Sequence, residues 1–363
     1  MNVHVEALTP EKVSSWDEYV SCHPRGTLYH LSGWREVIQE TYGHRPYYLM
    51  AVRPANGNRQ ETLESVAGIL PLVSMKHFFF GNRLVSIPFF DLGGIIADDR
   101  ETEKALLNEA VKLGKDLKAG QVELRNIFPL EAIEKDIHWQ EITHTRSHKV
   151  RMLLELPESP EILLKSFKSK LRSQIRVPIK EGLTSKIGGL ELLNEFYEVF
   201  TVNMRNLGSP VHSRKIIKSV MEEFTGKSRI VIVSKENRPV ASSLVVGFKD
   251  TLENPWASAL REYSRLSPNM LLYWTMLEYA CSQGYRFFDF GRSTPDEGTY
   301  HFKEQWGATP QPLNWQYITL NGKPMDADQS EKSKFDRAIE YWKKLPVPVT
   351  RVLGPLIRKH ISL

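Results

Sequence analysis

Two stretches of this chain spell out the same succession of elements, and that repetition limits what it can fold into. In the first stretch, residues 32–43 read as a helix closed by Gly43, and an apolar strand follows over 47–52. A loop rich in Asn, Gly and Arg then returns through Val66-Ala67-Gly68-Ile69-Leu70-Pro71-Leu72-Val73. A strand is expected over 84–90, a helix from about 101 to 118, and a strand over 121–126 after Gly120. In the second stretch, helices are expected over 191–206 and 213–224. A hairpin turns at Lys235-Glu236-Asn237-Arg238, and a strand runs near 255–260. A helix opens at Ser267-Pro268 and stops at Gly284, and a strand over 285–290 closes the series. Helix, hairpin, strand, long helix and strand, twice over, is a mixed α/β (α+β) order. With 363 residues, the chain exceeds the roughly 250–300 that one core serves. Two domains are expected over 1–150 and 151–320, followed by a short basic C-terminal extension over 321–363.

Charge and cysteine content narrow the classes. A net charge of +5 permits an anionic partner without requiring one. Cys22 and Cys281 sit in opposite halves and support neither a disulfide framework nor a thiolate metal site, so buried free thiols in a reducing compartment are expected. The start carries no secretory pattern, and no apolar run reaches the roughly 18–20 residues of a membrane span. A soluble, cytoplasmic protein is expected. Gly226-Lys227-Ser228 ends like a phosphate loop, but Met221 stands where its first glycine belongs.

Two regions carry chemistry. Residues 159–177 read as one helix, started by Ser159-Pro160 and stopped by Pro178. On it Lys165, Lys168, Arg172 and Arg176 form a basic stripe beside the apolar Leu164, Phe167, Leu171 and Ile175. Such a stripe suits the phosphate of a nucleotide, a lipid carrier or RNA. The second region is a buried-looking strand, Phe287-Phe288-Asp289-Phe290, that runs into Gly291-Arg292-Ser293. It is followed by Tyr300-His301-Phe302-Lys303 and Trp306-Gly307. Polar groups at the carboxyl end of a strand, next to a glycine turn, are where α/β folds place ligands. Asp289 needs a partner on so apolar a strand, and Arg292, Lys303 or a backbone turn each offers one.

These residues resemble the signature of FemAB-like proteins, most closely the branch associated with exosortase/PEP-CTERM systems. The resemblance rests on Phe288-Asp289-Phe290-Gly291-Arg292-Ser293, on Gly298-Thr299-Tyr300-His301-Phe302-Lys303 and on Trp306-Gly307. Phe196-Tyr197, Asn203-Met204-Arg205-Asn206-Leu207-Gly208-Ser209-Pro210, Leu171-Arg172 to Arg176 and Leu70-Pro71-Leu72 extend it. It covers about residues 25 to 320, with Leu345-Pro346 of the tail. It implies two tandem GNAT-like domains and transfer of an aminoacyl or acyl group to an amine of a cell-envelope or exopolysaccharide-related substrate. The donor would be aminoacyl-tRNA or acyl-CoA. The helical hairpin inserted in some peptidoglycan-building relatives has no room here. The glycine-rich turn that holds coenzyme A pyrophosphate reads Arg265-Leu266-Ser267-Pro268-Asn269-Met270, without a glycine.

On that reading Lys303 and Asp289 are the catalytic candidates. Lys303 would stabilise charge at the reacting carbonyl or grip an anion beside it. Asp289 would orient Arg292 or take a proton. Arg292 and Ser293 would hold the acceptor, and Tyr300 and Phe302 would line the pocket. Lys168, Arg172, Arg176, Asn203 and Arg205 would bind the phosphate-bearing or lipid-linked substrate. Lys303→Met is expected to abolish turnover and leave the melting temperature nearly unchanged. Two rival functions are a CoA-dependent N-acyltransferase acting on an amino sugar, and a non-catalytic binding protein for an anionic carrier. The tail from Lys343 carries five Lys/Arg and no acid, so it is either a membrane-surface contact, at the inner face of the membrane, or a strap across the second domain.

Overall fold

The structure, a computed structural model, describes residues 3–54, 64–77, 81–321 and 329–362. It divides into two compact units. The first comprises Met1–Lys149, Pro312–Asp326 and His360–Leu363, and the second Val150–Gln311 and Ala327–Lys359. The Asn-, Gly- and Arg-rich loop lies mostly outside the described residues.

In the first unit the strands are β1 (His4–Ala7), β2 (Arg45–Pro54), β3 (Glu64–His77), β4 (Gly81–Ser86), β5 (Ile96–Ala97), β6 (Gln121–Asn126) and β7 (Thr143–Arg146). They are joined by Asn314–Thr319 in the order β1-β2-β3-β4-β6-(314–319)-β7, with β5 on β3. The helix Arg100–Asp116 connects β4 to β6, which run parallel, and Asp99 caps it through Thr102 N. In the second unit the strands are β8 (Val150–Glu155), β9 (Leu183–Gly188), β10 (Ser228–Lys235), β11 (Arg238–Phe248), β12 (Thr251–Ala259), β13 (Phe287–Ser293) and β14 (Thr309–Pro312). Their order is β14-β8-β13-β12-β11-β10-β9. The β10–β11 hairpin turns through Glu236 and Asn237, both at positive φ, as a two-residue turn between right-twisted strands requires. The helix Pro268–Ser282 links the parallel pair β12 and β13 and is buried on nearly every side, because its run from Met270 to Leu277 is apolar all round.

Three expectations need correction. The domain boundaries at 320 and 321 cut through what the strands join. Asn314–Thr319 pairs antiparallel with β6 in the first unit, while 327–359 belongs to the second. The single helix over 159–177 is two helices, Pro160–Ser166 and Ser169–Lys180. Phe167 and Lys168 between them are extended at ψ 146 and 148, and Pro178 sits inside the second helix. Cys281 is buried as expected, but Cys22 is exposed.

The tail straps the second unit. Helices Gln329–Lys344 and Val347–Arg358 pack on helix Leu193–Leu207. Gly354 is needed at the contact, since a Cβ there would meet Val211 N at 2.9 Å. Arg358 Nε donates to Nε2 of buried His212 at 2.9 Å, so His212 is neutral and accepts. Burial, then the Arg358 charge, holds the His212 imidazole well below its usual range. A depressed histidine contributes stability above its ordinary value, and that contribution is lost as pH falls below about 6.5. Wild-type protein should therefore lose stability in urea between neutrality and mildly acid pH. His212→Gln, which keeps an acceptor but does not titrate, should show a flatter profile over the same range.

Candidate functional site

The site is set by where β12 and β13 part. They pair in parallel over only three positions, Thr251↔Phe287, Leu252↔Phe288 and Glu253↔Asp289. β12 then runs on to Ala259 beside β11, while β13 bulges between Asp289 and Arg292 and continues along β8. Among the described residues, no strand joins β12 on its β13 side after Glu253. Main-chain N–H and C=O groups along that edge therefore lack sheet partners, and such groups must find hydrogen bonds elsewhere.

A cluster of buried charges lies at the parting point. Arg151 of β8 donates through Nε to Asp289 at 2.6 Å, and its NH2 lies 3.4 Å from Glu253 of β12. Asp289 also accepts from Gly291 N at 2.7 Å, which draws the bulge back onto the strand. Burial pushes the Asp289 carboxyl up. The Arg151 charge, with hydrogen bonds from Gly291 and Arg151, outweighs it and holds the group below the usual carboxylate range. Lys303, from helix Gly298–Glu304, donates to the carbonyls of Gly291 and Arg292 at 3.0 and 2.8 Å and is itself buried. Gly291 adopts φ +74, which its lack of a Cβ permits at the bulge.

A cavity of about 430 Å³ opens in this unit. Ala259 and Leu260 at the end of β12, residues 267–270 at the start of the long helix, Asn203, Asn206 and Leu207 of helix 193–207, and Phe302 all line it. Asn203 is held by a bond to Ser258 Oγ at 3.0 Å, and Phe302 packs edge-on against Tyr273. The matching place in the first unit is filled. After β4 and β6 pair, the buried Arg125 donates to the carbonyls of Ile87 and Phe90 and to Glu123, and its backbone N–H reaches Ser86 Oγ. The hollow left there measures only about 20 Å³.

The predicted residues fare unequally. Asn203 and Phe302 meet at the cavity. Ser293 is buried and its hydroxyl makes no hydrogen bond. Tyr300 is half-buried, edge-on to His301. Asp289 accepts from Arg151 and from Gly291 N, so its bonds hold the turn from within the sheet. Arg205 donates to the carbonyls of Lys343 and Leu345 at 3.4 Å, which ties it to the tail. The basic stripe is interrupted. Arg172 donates to the carbonyls of Lys165 and Phe167, closing the first short helix, whose last carbonyls would otherwise lack partners. Lys168 instead lines a separate groove of about 960 Å³ with Lys170, His301 and Trp306, and Arg176 is exposed on the second helix. Arg151 and Glu253 were not singled out in the sequence. Neither stands out locally: β8 also carries Glu155, and Glu253 is followed by Asn254 on a strand with Thr251 and Ser258.

Residues 165–304 match the Acetyltransferase (GNAT) domain family. The protein is similar in structure to FemX, with TM-score 0.65 and 16% identity over 87% of this chain and 98% of that one. It also resembles L-PGS from Bacillus licheniformis, with TM-score 0.54 and 14% identity over 96% and 98% of the two chains. A tandem GNAT protein from the clavulanic acid biosynthesis pathway matches with TM-score 0.54 and 11% identity over 90% and 100%. Curated protein sequences give no match. The fold is that of two GNAT-like domains in tandem. At these identities the likeness is one of fold.

The bonds of Lys303 overturn one expectation for its variant. Lys303→Met removes the donor to two half-buried carbonyls, at about 0.5–1.5 kcal/mol for each hydrogen bond lost. The melting temperature should fall measurably by calorimetry, whereas Lys303→Arg, which keeps a donor, should recover part of the loss.

Proposed function

We propose that the protein is an acyltransferase that joins an acyl or aminoacyl group to an amine in the cavity of the second unit. The observation that carries this is the open gap between β12 and β13, flanked by a cavity whose matching place in the first unit is nearly closed. In the reaction the amine nitrogen attacks the donor's carbonyl carbon. The new C–N bond forms as the bond to the leaving group breaks, and the amine proton departs with the leaving group or to water. No enzyme nucleophile is required when both substrates are held in contact. Where β12 runs on beyond its pairing with β13, its edge offers main-chain groups that can orient the donor and meet negative charge developing on its carbonyl oxygen.

Lys303 and Asp289 act here as positioning residues. Lys303 fixes the carbonyls of Gly291 and Arg292, and Asp289 fixes the N–H of Gly291, so together they set the width of the gap. Arg292 and Ser293 follow on the same bulge and are assigned to the acceptor, with Tyr300 and Phe302 beside them. Lys168 and Arg176 remain candidates for an anionic part of a substrate reaching beyond the cavity.

An aminoacyl donor and a cell-envelope or exopolysaccharide-related acceptor are the favoured substrates, as the FemAB-like signature with its exosortase/PEP-CTERM-type variant suggests. A lipid-linked acceptor would place the work at the inner face of the membrane. The start of the long helix favours this donor over acyl-CoA. Pro268 carries no N–H, Met270 N already donates to Ser267 O at 3.0 Å, and Ser267 is held at φ 57. Few donors are left there for a pyrophosphate.

The test is to incubate the protein with aminoacyl-tRNA or acyl-CoA and a panel of amine acceptors, and to read amide formation by mass spectrometry. Ala259→Trp, which fills the cavity from its rim, should lower the rate by about 10²-fold, as displacement of a bound substrate does. Unchanged turnover in that variant would remove the cavity from the mechanism. Product from acyl-CoA but not from aminoacyl-tRNA would favour the coenzyme-dependent alternative.

A further inference from the structure

The helix Val347–Arg358 is amphipathic in the reverse sense for one packed on a domain. The positions it buries are Thr350, Gly354 and Arg358, a fourfold spacing of small and polar residues. Gly354 backs onto Val211, Arg358 bonds His212, and Arg351 reaches Thr201 Oγ1 and lies over the Tyr197 ring. The large apolar side chains face the other way. Val349, Val352, Leu353, Leu356 and Ile357 recur at spacings of three and four, and they are between 39% and 67% exposed. Tyr341, just before the turn into this helix, is 71% exposed. Scattered exposed apolar residues are ordinary, but a continuous helical stripe of them marks an interaction surface.

The charges around the stripe indicate the partner. Lys344 lies over the Tyr341 ring, and Lys359 follows the last turn. No Asp or Glu occurs from Leu345 to Leu363. A second copy seated symmetrically on the stripe would bring these cations against their own equivalents. An apolar interior bordered by negative charge suits them on both counts. The helix spans 12 residues, and no described helix is long and apolar enough to cross a membrane, so contact is made in the interfacial plane.

We infer that the outward face of helix 347–358 docks the protein onto an anionic lipid surface. The stripe enters the boundary between headgroups and acyl chains, and Lys344 and Lys359 meet the lipid phosphates. One element lies between the tail and the cavity. Helix 193–207 contacts the tail through Tyr197, Thr201 and Arg205, and its last turn supplies Asn203, Asn206 and Leu207 to the cavity wall. The inference rests on the tail alone and stands whatever reaction the cavity supports.

The test is co-sedimentation of the full chain with vesicles of phosphatidylglycerol and, separately, of phosphatidylcholine, at low and high salt. Wild-type protein should pellet with phosphatidylglycerol at low salt, and less so with phosphatidylcholine or at high salt. Val352→Ser/Leu356→Ser changes only exposed side chains, and an unchanged thermal melt would confirm that it folds. It should reduce partitioning by about tenfold or more, the scale expected for two lost apolar insertions. Lys344→Glu/Lys359→Glu should weaken binding and reduce its salt dependence. Absence of wild-type pelleting with phosphatidylglycerol at low salt, or pelleting of the serine variant equal to wild type, would overturn the inference. So would analytical ultracentrifugation showing a wild-type dimer that the serine variant turns into a monomer.

Discussion

Three charges buried on neighbouring strands hold the second unit's site together. Arg151, Asp289 and Glu253 come from β8, β13 and β12, and their side chains are almost wholly withdrawn from solvent. Burying one such charge alone is costly. Two carboxylates around one guanidinium are tolerable only when hydrogen bonds complete the set, which the N–H of Gly291 does for Asp289. The consequence is geometric. β12 and β13 stay together up to Glu253 and Asp289 and part directly after them. Asp289 and Lys303 then hold the bulge of β13 from opposite ends of the same turn, one through an N–H and the other through two carbonyls. The gap is thus a fixed feature of the sheet, which suits a reaction that depends on placement more than on a reactive side chain.

The two units share this plan and differ in what occupies it. Each has a hairpin, a strand, a long helix and a parallel return strand. Each also gains an antiparallel neighbour from elsewhere in the chain, β8 beside β13 and 314–319 beside β6. In the first unit, Arg125 and the backbone of residues 87–90 occupy the space beyond the parallel pair. In the second that space is open. On this inequality rests the proposal that the second unit carries the chemistry, since the equivalent space of the first is closed by a buried Arg–Glu pair.

Much of this was legible in the sequence. The element order came through because the long helices carry plain stop and start signals, Gly43, Gly284 and Ser267-Pro268, and because the hairpin at Glu236-Asn237 has turn residues suited to positive φ. The turn at residues 288–292 and Lys303 could be marked because polar residues there interrupt apolar runs. What stayed hidden was pairing between distant segments. Nothing local marks Arg151 as the partner of Asp289, or Asn314–Thr319 as a strand of the first sheet. The break at Phe167-Lys168 escaped because both residues fit the helical period. What makes the break tolerable is Arg172, which satisfies the freed carbonyls from the next helix. The tie of Arg205 to the tail was hidden because a cation in a polar motif reads the same whether it meets a phosphate or a backbone carbonyl.

The central claim is that acyl transfer occurs in the second unit's gap and nowhere else in the chain. A photoreactive acyl-donor analogue, cross-linked to the full protein and mapped by peptide mass spectrometry, tests it most directly. The account predicts labels on residues 203–207, 259–270 and 302, lost when unreacted donor is added in excess. Labels confined to the first unit, around Arg25, His30 and residues 93–96, would contradict it.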